Sequence, residues 1–308
     1  MAAQQTREQQ QQEEVEEELD EFVPIDKLQS LGINAGDIKK AKEGGFHTCQ
    51  SMLMNPKKRL AEIKGLSEAK IEKLVEAARK MCPELGWSTA KQVDEQRSKD
   101  IVKLSLGADA LNELLGGGIE TKAITEMYGE YRQALCSAAD RKDTDLPHTV
   151  RDISDASGDG RRAYTHEQQS ELLVALAAMM SQEHFKLLIV DSIMALFRVD
   201  FSGRGELSER QQKLGLLMSR LKKIADEFNV AVVITNQVMS DPSGGAMFVA
   251  DPKKAVGGHV LAHASTVRLS LRKGKAEQRL MKVVDAPNLP EAEASFQLQL
   301  DGVADYKG

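Results

Sequence analysis

Short apolar runs alternate with helical stretches through the C-terminal two thirds of the chain, and this alternation constrains the fold most strongly. Runs at 123–130, 185–191 and 230–236 have the length and composition of buried strands. Amphipathic helical spacing at 167–180 and 209–228 lies between them, and further short strand patterns follow towards the C-terminus. Strands that alternate with helices predict an α/β domain with a mostly parallel sheet.

The composition is typical of a soluble globular protein. Of the 308 residues, 41% are hydrophobic and 29% are charged, which suits one large domain and one small domain. No run of 18 apolar residues occurs, so a membrane span is not expected. The net charge of −6 argues against a wholly basic nucleic-acid coat, although a local basic strip could still bind phosphate groups. Cys49, Cys82 and Cys136 have no paired or metal-binding spacing, which indicates reduced thiols in the cytosol or nucleus.

Changes in composition divide the chain into four parts. Residues 1–21 are rich in Gln and Glu, carry no secretory or mitochondrial signal, and are predicted to form a disordered acidic tail. Residues 22–85 have the pattern of short helices broken by Gly and Asn, and residues 86–99 are polar and predict a linker. The sheet domain would occupy residues 100–308. One apolar face of the second part is predicted from Val23, Ile25, Leu28 and Leu31.

The N-terminal helical region contains a candidate DNA-binding hairpin. The residues Ile-Lys-Gly-Leu-Ser at 63–67 separate helical runs at 58–63 and 68–78. In a helix-hairpin-helix motif the turn amides and the helix N-terminus hold a DNA phosphate, a role that would fall to Lys64 and Gly65. A plain helical hairpin with a capped second helix fits the same spacing, so both interpretations stand.

Three longer motifs carry a resemblance to a known family. Residues 197–207 are Phe-Arg-Val-Asp-Phe-Ser-Gly-Arg-Gly-Glu-Leu, residues 209–214 are Glu-Arg-Gln-Gln-Lys-Leu, and residues 251–254 are Asp-Pro-Lys-Lys. With the strand that ends in Asp191, they make the chain resemble the RecA/RadA superfamily of DNA strand-exchange recombinases, specifically its eukaryotic meiotic, Dmc-type branch. The resemblance covers about residues 22–132 and 163–308.

The resemblance implies a RecA-like P-loop ATPase core behind a small all-α helix-hairpin-helix domain. It implies ATP and Mg²⁺ as cofactors, a nuclear location, and single- and double-stranded DNA as substrates. The expected protein partners are copies of the chain in a helical filament or ring, a paralogous recombinase and recombination mediators. No association with a membrane is expected.

The resemblance also assigns roles to residues around the nucleotide. Asp191 would be the Walker B acid that holds Mg²⁺ through water, and Gln237 would couple the nucleotide state to the DNA loop that follows it. Asp251, Lys253 and Lys254 would reach a neighbour's ATP, and His263 would sense the γ-phosphate. Without the family, an acid at a strand end is weak evidence, and a histidine in an apolar run is usually a satisfied core residue.

Two DNA-binding loops and a polymerisation tether are implied as well. Arginine forks suit phosphate oxygens, and a loop with apolar side chains among glycines could wedge between bases. An ordinary surface loop is the alternative for the second loop, and an aromatic residue packed on its own domain is the alternative for the tether. The residues are Arg198, Arg204 and Arg210 in the first loop, Met239, Pro242, Met247 and Phe248 in the second loop at 238–250, and Trp87 with Ala90 in the tether.

The chain departs from the family where the phosphate loop should begin. Tyr-Gly-Glu-Tyr-Arg at 128–132 should run into Gly-Lys-Thr, but Gln-Ala-Leu-Cys follows, and Gly-Lys-Ser/Thr occurs nowhere in the chain. The 30 residues at 133–162 are too few for the helix, strand, catalytic Glu and second helix that belong there. The sequence therefore predicts an incomplete central sheet, no identifiable catalytic residue and impaired ATP binding.

A shift of reading frame would explain the departure. Residues 141–144 can be encoded by CGG AAA GAC ACA, which read one base later gives Gly-Lys-Thr followed by Gln. Residues 133–162 are therefore interpreted as an out-of-frame or mis-spliced segment. Three functional interpretations stay open: an ATP-dependent recombinase, a nucleotide-independent DNA- or filament-binding module, and a nonfunctional product that lacks an internal strand.

Overall fold

The computed structural model describes residues 22–129, 149–150, 161–201, 203, 205–240, 253–299 and 302–307. The chain divides into two compact units, residues 1–96 with 177–182, and residues 97–176 with 183–308. None of the helices in the described ranges combines the length and the apolar character that crossing a bilayer requires.

The described part of the first unit is helical. Its longest helix begins at Glu68, is rich in Ala, Glu, Lys and Leu, and buries Ile71, Leu74 and Ala78 at helical spacing. These side chains pack in one apolar cluster with Ile25. The elements are a 3₁₀ helix at Ile25–Leu31, α1 at Ala35–Glu43, α2 at Cys49–Met54, α3 at Lys57–Leu60, α4 at Glu68–Met81 and a 3₁₀ turn at Pro83–Leu85.

The apolar face predicted at the start of this unit is only partly correct. Ile25 and Leu28 are fully buried, whereas Leu31 is 43% exposed. Leu31 is the last residue of the 3₁₀ helix, because Gly32 follows in the left-handed conformation with φ of 81° and turns the chain away.

The predicted linker is in fact helical from Ala90. Helix α5 spans Ala90–Asp100 and buries none of its residues. Thr89 and Gln92 form a capping box: the backbone N–H of Thr89 donates to Gln92 Oε1 at 2.9 Å, and the backbone N–H of Gln92 donates to Thr89 Oγ1 at 3.3 Å. The sequence predicted a linker from its polar composition and did not identify this Thr-x-x-Gln pattern, which starts a helix without an apolar stripe.

The second unit is built on one eight-stranded sheet. Its strand order is β12-β11-β10-β9-β3-β6-β5-β4, and two small two-stranded sheets, β1-β2 and β7-β8, stand apart from it. The strands are β1 at Lys103–Leu104, β2 at Ile119–Glu120, β3 at Ile124–Gly129, β4 at Thr149–Val150, β5 at Leu187–Val190, β6 at Ala231–Asn236, β7 at Val238–Ser240, β8 at Lys253–Ala255, β9 at Val267–Lys273, β10 at Arg279–Asp285, β11 at Glu293–Gln299 and β12 at Gly302–Asp305. The helices are α6 at Asp109–Leu114, α7 at His166–Met180, α8 at Ala195–Asp200, α9 at Leu207–Glu227 and α10 at Gly258–Ala264.

The prediction of a mostly parallel sheet holds for one half of it. Strands β9, β3, β6, β5 and β4 pair in parallel, whereas β9 to β12 form an antiparallel meander. The meander forms because short connections, such as residues 274–278 between β9 and β10, join neighbouring strands directly and leave no room for a crossover helix. Strands β5 and β6 are buried along their whole length, as expected for a parallel sheet covered on both faces.

The predicted gap inside the sheet is wrong for the described strands. Strand β3 pairs directly with β6, and β6 pairs directly with β5. Of the segment at 133–162, the two described residues of β4 pair with β5 at the edge of the sheet. The pairing of the interior strands therefore does not depend on that segment.

Candidate functional site

Three parallel strands end side by side and place the candidate site at their carboxyl edge. Strand β3 ends at Gly129, β5 is followed by Asp191, and β6 ends at Asn236 and leads into Gln237. Because β6 lies between β3 and β5, all three ends meet at one edge of the sheet. Open α/β sheets bind their ligands at this edge.

The end of β3 requires glycine. Gly129 has φ of 153°, and a Cβ atom there would lie 2.0 Å from the backbone oxygen of Leu271 on β9. The strand that the resemblance places before a phosphate loop is thus present, and its terminal glycine packs against β9. Residue 130 and the segment after it lie outside the described residues.

Asp191 lies where the resemblance predicts the Walker B acid. Thr235 on β6 donates its hydroxyl hydrogen to Asp191 Oδ1, which fixes one carboxylate oxygen beside the neighbouring strand. A single carboxylate can hold Mg²⁺ through water when phosphates supply further oxygens. The sequence contains no Gly-Lys-Ser/Thr, the motif whose backbone amides and lysine hold the triphosphate in a P-loop.

A buried ion pair lies behind this edge. Glu126 on β3 is 0% exposed, and its Oε2 accepts from Arg268 Nε on β9 at 2.7 Å. The Arg268 guanidinium also lies 5.4 Å from the centre of the Tyr128 ring. The second carboxylate oxygen, Oε1, accepts from Asn236 Nδ2 at 2.7 Å. Three neighbouring strands are therefore linked through one desolvated carboxylate.

The same Asn236 side chain holds the start of the predicted second DNA loop. Its Nδ2 also donates to the backbone oxygen of Val256 at 2.6 Å, and its Oδ1 accepts from the backbone N–H of Gln237 at 2.8 Å. The backbone N–H of Val256 in turn donates to the oxygen of Gln237 at 2.9 Å. The two ends of the loop are thus fastened to each other and to β6.

The predicted loop at 238–250 begins with regular structure. Residues 238–240, including Met239, form β7 and pair antiparallel with β8, which contains Lys253 and Lys254. The interpretation as an irregular loop is therefore wrong at its start, because β8 supplies the backbone partners for β7. Met239 is 51% exposed. The remaining predicted loop and cap residues, Pro242, Met247, Phe248 and Asp251, lie outside the described residues.

A hydrogen bond links the described ends of the two predicted DNA loops. Arg198 Nη1 on α8 donates to Gln237 Oε1 at 2.6 Å. The resemblance assigned Arg198 to DNA binding and Gln237 to coupling between the nucleotide and the second loop, and the structure brings the two side chains together. Arg210 lies inside α9, where its backbone N–H bonds the oxygen of Glu206, and Arg204 lies outside the described residues.

A histidine–aspartate pair at the base of the first loop escaped the sequence analysis. Asp200 Oδ2 accepts from the backbone N–H of His166 at 2.8 Å and lies 2.8 Å from His166 Nδ1. The backbone hydrogen bond from His166 is the main cause that lowers the pKa of the Asp200 carboxyl below its usual value. The imidazole ring lies 4.8 Å from the Phe201 ring and 5.5 Å from the Phe197 ring, measured between centroids. The pair joins the start of α7 to the end of α8.

His263 is not a satisfied core histidine. It is an exposed residue near the end of α10, and its ring stacks on His259 one turn earlier, with centroids 5.9 Å apart. The interpretation as a buried structural histidine is therefore wrong, whereas the γ-phosphate role remains a prediction.

The predicted tether is exposed in the first unit. Trp87 is fully exposed, with a relative accessibility of 107%, and Ala90 is the exposed first residue of α5. The alternative in which Trp87 packs on its own domain is wrong, because the indole ring, just after the turn at Pro83–Leu85, points into solvent and covers no apolar surface.

The hairpin turn at 63–67 has a lysine beside it that the sequence analysis did not identify. Gly65 has φ of 81°, and its backbone oxygen accepts from Lys40 Nζ at 2.9 Å. Ser67 is the N-cap residue of α4, but its side chain makes no capping hydrogen bond, so the predicted serine cap is wrong. Lys64 is exposed at the same turn.

Comparison with known proteins identifies the family. A family model described as Rad51 matches residues 96–150 and 133–306. The chain is 53% identical to the meiotic recombination protein DMC1 homolog of Lilium longiflorum, over 95% of this chain and 92% of that protein. It is 50% identical to the Arabidopsis thaliana protein of the same name, over 100% and 98%, and 46% identical to the Homo sapiens meiotic recombination protein DMC1/LIM15 homolog, over 95% and 96%.

Two features of these matches show that the likeness is interrupted. The Arabidopsis alignment spans 342 positions against 308 residues of this chain, so at least 34 aligned positions have no residue here. The family model matches in two stretches that overlap at 133–150, so continuity breaks inside the segment that lacks a phosphate loop. On both sides of this break the likeness is extensive, and the chain belongs to the Rad51 family.

Proposed function

We propose that this chain is a meiotic homologous-recombination protein that binds single-stranded DNA and pairs DNA strands, and that the sequence as written cannot bind ATP in the ordinary way. The observation that carries the DNA-binding role is the hydrogen bond between Arg198 and Gln237. It links the starting points of the two candidate DNA-binding loops at the carboxyl edge of the sheet. The relatives named meiotic recombination proteins support the same role.

The charge and geometry of the edge suit a phosphate backbone. Arg198 is exposed and follows the buried Phe197 on α8, so the arginine projects from a fixed base. Guanidinium groups bind phosphate oxygens through parallel N–H donors, and they retain their charge at any physiological pH. Arg204 and Arg210 would add charge on either side of the loop that follows α8. The second loop, whose stem pairs β7 with β8, would supply Met239, Pro242, Met247 and Phe248 for contacts with bases.

ATP and Mg²⁺ are expected in the family, but the residues of this chain fit them only in part. Asp191 would hold the metal, and His263 would contact a phosphate. Gln237 would couple the nucleotide to the second loop. A neighbour's nucleotide would be contacted by Asp251, Lys253 and Lys254. The cradle of backbone amides and its lysine are missing from the sequence. No step of the proposed function is therefore assigned to nucleotide hydrolysis.

Self-association is the expected mode of assembly. Trp87 offers an exposed large ring, and Ala90 follows at the start of α5. A ring of this kind can anchor one protomer in a pocket of the next, while a small side chain fits close to the partner surface. We expect copies of this chain, an intact paralogous recombinase and recombination mediators as partners, in the nucleus.

The helical N-terminal unit is proposed as a second DNA contact. Lys40 and Lys64 lie at the turn that contains Gly65, and the N-terminus of α4 begins three residues later without a side-chain cap. Uncapped backbone N–H groups and a positive helix end suit a phosphate oxygen. This arrangement supports a helix-hairpin-helix role over a plain helical hairpin.

A nucleotide-independent binding module is the second candidate function. It is favoured by the missing Gly-Lys-Ser/Thr together with the overlap of the two family matches at 133–150. Such a module would keep the tether and the DNA loops, and it would join or block filaments formed by an intact copy. A chain that binds single-stranded DNA but pairs no strands would be this module.

Salt dependence of DNA binding tests the proposed DNA edge. The plot of log affinity against log salt has a negative slope. We expect Arg198→Ala and Arg210→Ala each to make this slope shallower by about 0.7, because each removes about one phosphate contact on a single strand. Arg198→Lys should keep the slope near that of the unchanged chain, since the charge remains. Fluorescence anisotropy with a labelled oligonucleotide measures these slopes.

The matched control is Arg97→Ala, which removes an exposed arginine from α5, where no DNA contact is proposed. Its slope should equal that of the unchanged chain. Equal losses for Arg97→Ala and Arg198→Ala would mean that the salt dependence reports only the total charge, which would contradict a defined DNA edge.

A further inference from the structure

Asn236 stands at the junction of two groups of interactions in the second unit. On one side lies the buried pair of Glu126 and Arg268, and on the other side lie Gln237 and Val256, the residues that flank the hairpin stem of the second loop. We propose that Asn236 is a positioning residue that fastens the return of the second DNA loop to the sheet, and that the buried ion pair fixes the direction of its side-chain amide. The DNA consequence rests on the proposed function, whereas the fastening itself does not.

The hydrogen-bonding capacity of the amide matches its surroundings. An asparagine NH₂ group has two hydrogens, and Asn236 Nδ2 has two acceptors, Glu126 Oε1 at 2.7 Å and the backbone oxygen of Val256 at 2.6 Å. Its Oδ1 accepts from the backbone N–H of Gln237. Aspartate has nearly the same shape but no donor, so it would direct oxygen at two oxygens.

The buried carboxylate determines which way the amide points. Glu126 and Asn236 are both 0% exposed, so an unpaired polar atom there would be costly. If the amide turned over, Oδ1 would face both the Glu126 carboxylate and the Val256 oxygen. Arg268 holds the Glu126 carboxylate in place through its Nε–H, and the Arg268 side chain is itself only 17% exposed. The ion pair thus excludes the reversed amide.

The consequence is that the protein segments from which both DNA-binding loops start are fixed in position. The Asn236–Val256 bond and the Val256–Gln237 bond close the stem formed by β7 and β8. The Gln237 side chain then accepts from Arg198 at the base of the first loop. A loop whose two ends are already tied together has less conformational entropy to lose when it binds, so the clamp should raise DNA affinity.

Hydrogen–deuterium exchange tests the clamp without depending on DNA. In Asn236→Asp both donors are lost, so we expect backbone amides in the stretch that includes β8 and Val256 to exchange about tenfold faster or more. Binding of a single-stranded oligonucleotide should weaken about tenfold. The thermal midpoint of the variant should fall as well, because the introduced carboxylate would face Glu126 in a buried site.

A second variant separates the clamp from general stability. In Glu126→Gln with Asn236→Asp, the introduced glutamine can donate to the introduced aspartate, and one negative charge remains in the site near Arg268. We expect the thermal midpoint to recover largely, since the link between β3 and β6 is restored. Exchange at Val256 should stay fast and DNA affinity should stay low, because the Val256 oxygen still lacks a donor.

Two results would overturn the inference. One is unchanged exchange around Val256 in Asn236→Asp, and the other is a double variant that restores slow exchange together with the thermal midpoint. If Asn236→Asp fails to fold, the double variant decides alone. If the unchanged chain binds no single-stranded DNA, the proposed function fails, while the exchange measurement still decides the clamp.

Discussion

Replacing Arg268 with methionine is expected to lower the free energy of unfolding of the second unit by about 3–5 kcal/mol, because a buried carboxylate would lose its cation. Glu126 is 0% exposed, and Arg268 Nε lies 2.7 Å from its Oε2. Methionine fills a similar volume, so a cavity would contribute little to the loss. Urea unfolding followed by circular dichroism measures the change.

Two comparisons make this result specific. Arg272→Met removes an arginine from the same strand, but its ion pair with Glu293 is exposed, with side-chain accessibilities of 60% and 33%, so we expect a loss below about 1 kcal/mol. Adding Glu126→Gln to Arg268→Met should recover most of the loss, because no buried charge remains. A loss in Arg268→Met no larger than that in Arg272→Met would contradict the buried ion pair.

Replacing Trp87 with alanine is expected to weaken self-association by about 2–4 kcal/mol, which corresponds to about 30-fold or more in the dissociation constant. A large exposed ring that anchors a neighbour loses its buried contacts when it is truncated. Because Trp87 is fully exposed in the single chain, its removal should change the stability of the protomer by less than about 0.5 kcal/mol. Sedimentation velocity across a concentration series measures the association.

The control for the tether is Val93→Ala. Val93 is 43% exposed on α5, close to the tether in sequence, and it has no proposed contact with a neighbour. It should leave both stability and association unchanged. If Trp87→Ala instead lowered the unfolding free energy and left association intact, the ring would be packing within its own chain, and the tether would be rejected.

The sequence predicted the fold where local pattern and tertiary context agree. Mainly apolar runs identified β3, β5 and β6, because strands buried on both faces consist largely of apolar side chains. Local pattern failed for α5, whose start depends on the Thr89–Gln92 capping box and whose surface is polar all round. It also could not reveal that β9 to β12 turn antiparallel, since strand direction follows from the connections rather than from the strand residues.

The sequence predicted the site through motifs, and the contacts between motifs came only from the fold. The sequence placed Asp191 at the end of a strand and Gln237 before a loop, and the structure has them directly after β5 and β6. The network around Asn236 joins Glu126, 110 residues earlier, and Glu126 joins Arg268, 142 residues later. Only one signal was available: an acid in the middle of an apolar strand needs a buried partner, and sequence alone does not say which basic residue supplies it.

The most direct test of the account is a titration of single-stranded DNA with the purified chain, followed by fluorescence anisotropy, with and without ATP and Mg²⁺. The account predicts saturable binding that weakens as salt rises, with the same midpoint in both conditions, because the proposed DNA-binding edge would act without a nucleotide. Binding that tightens when ATP and Mg²⁺ are added, or no binding in either condition, would contradict it.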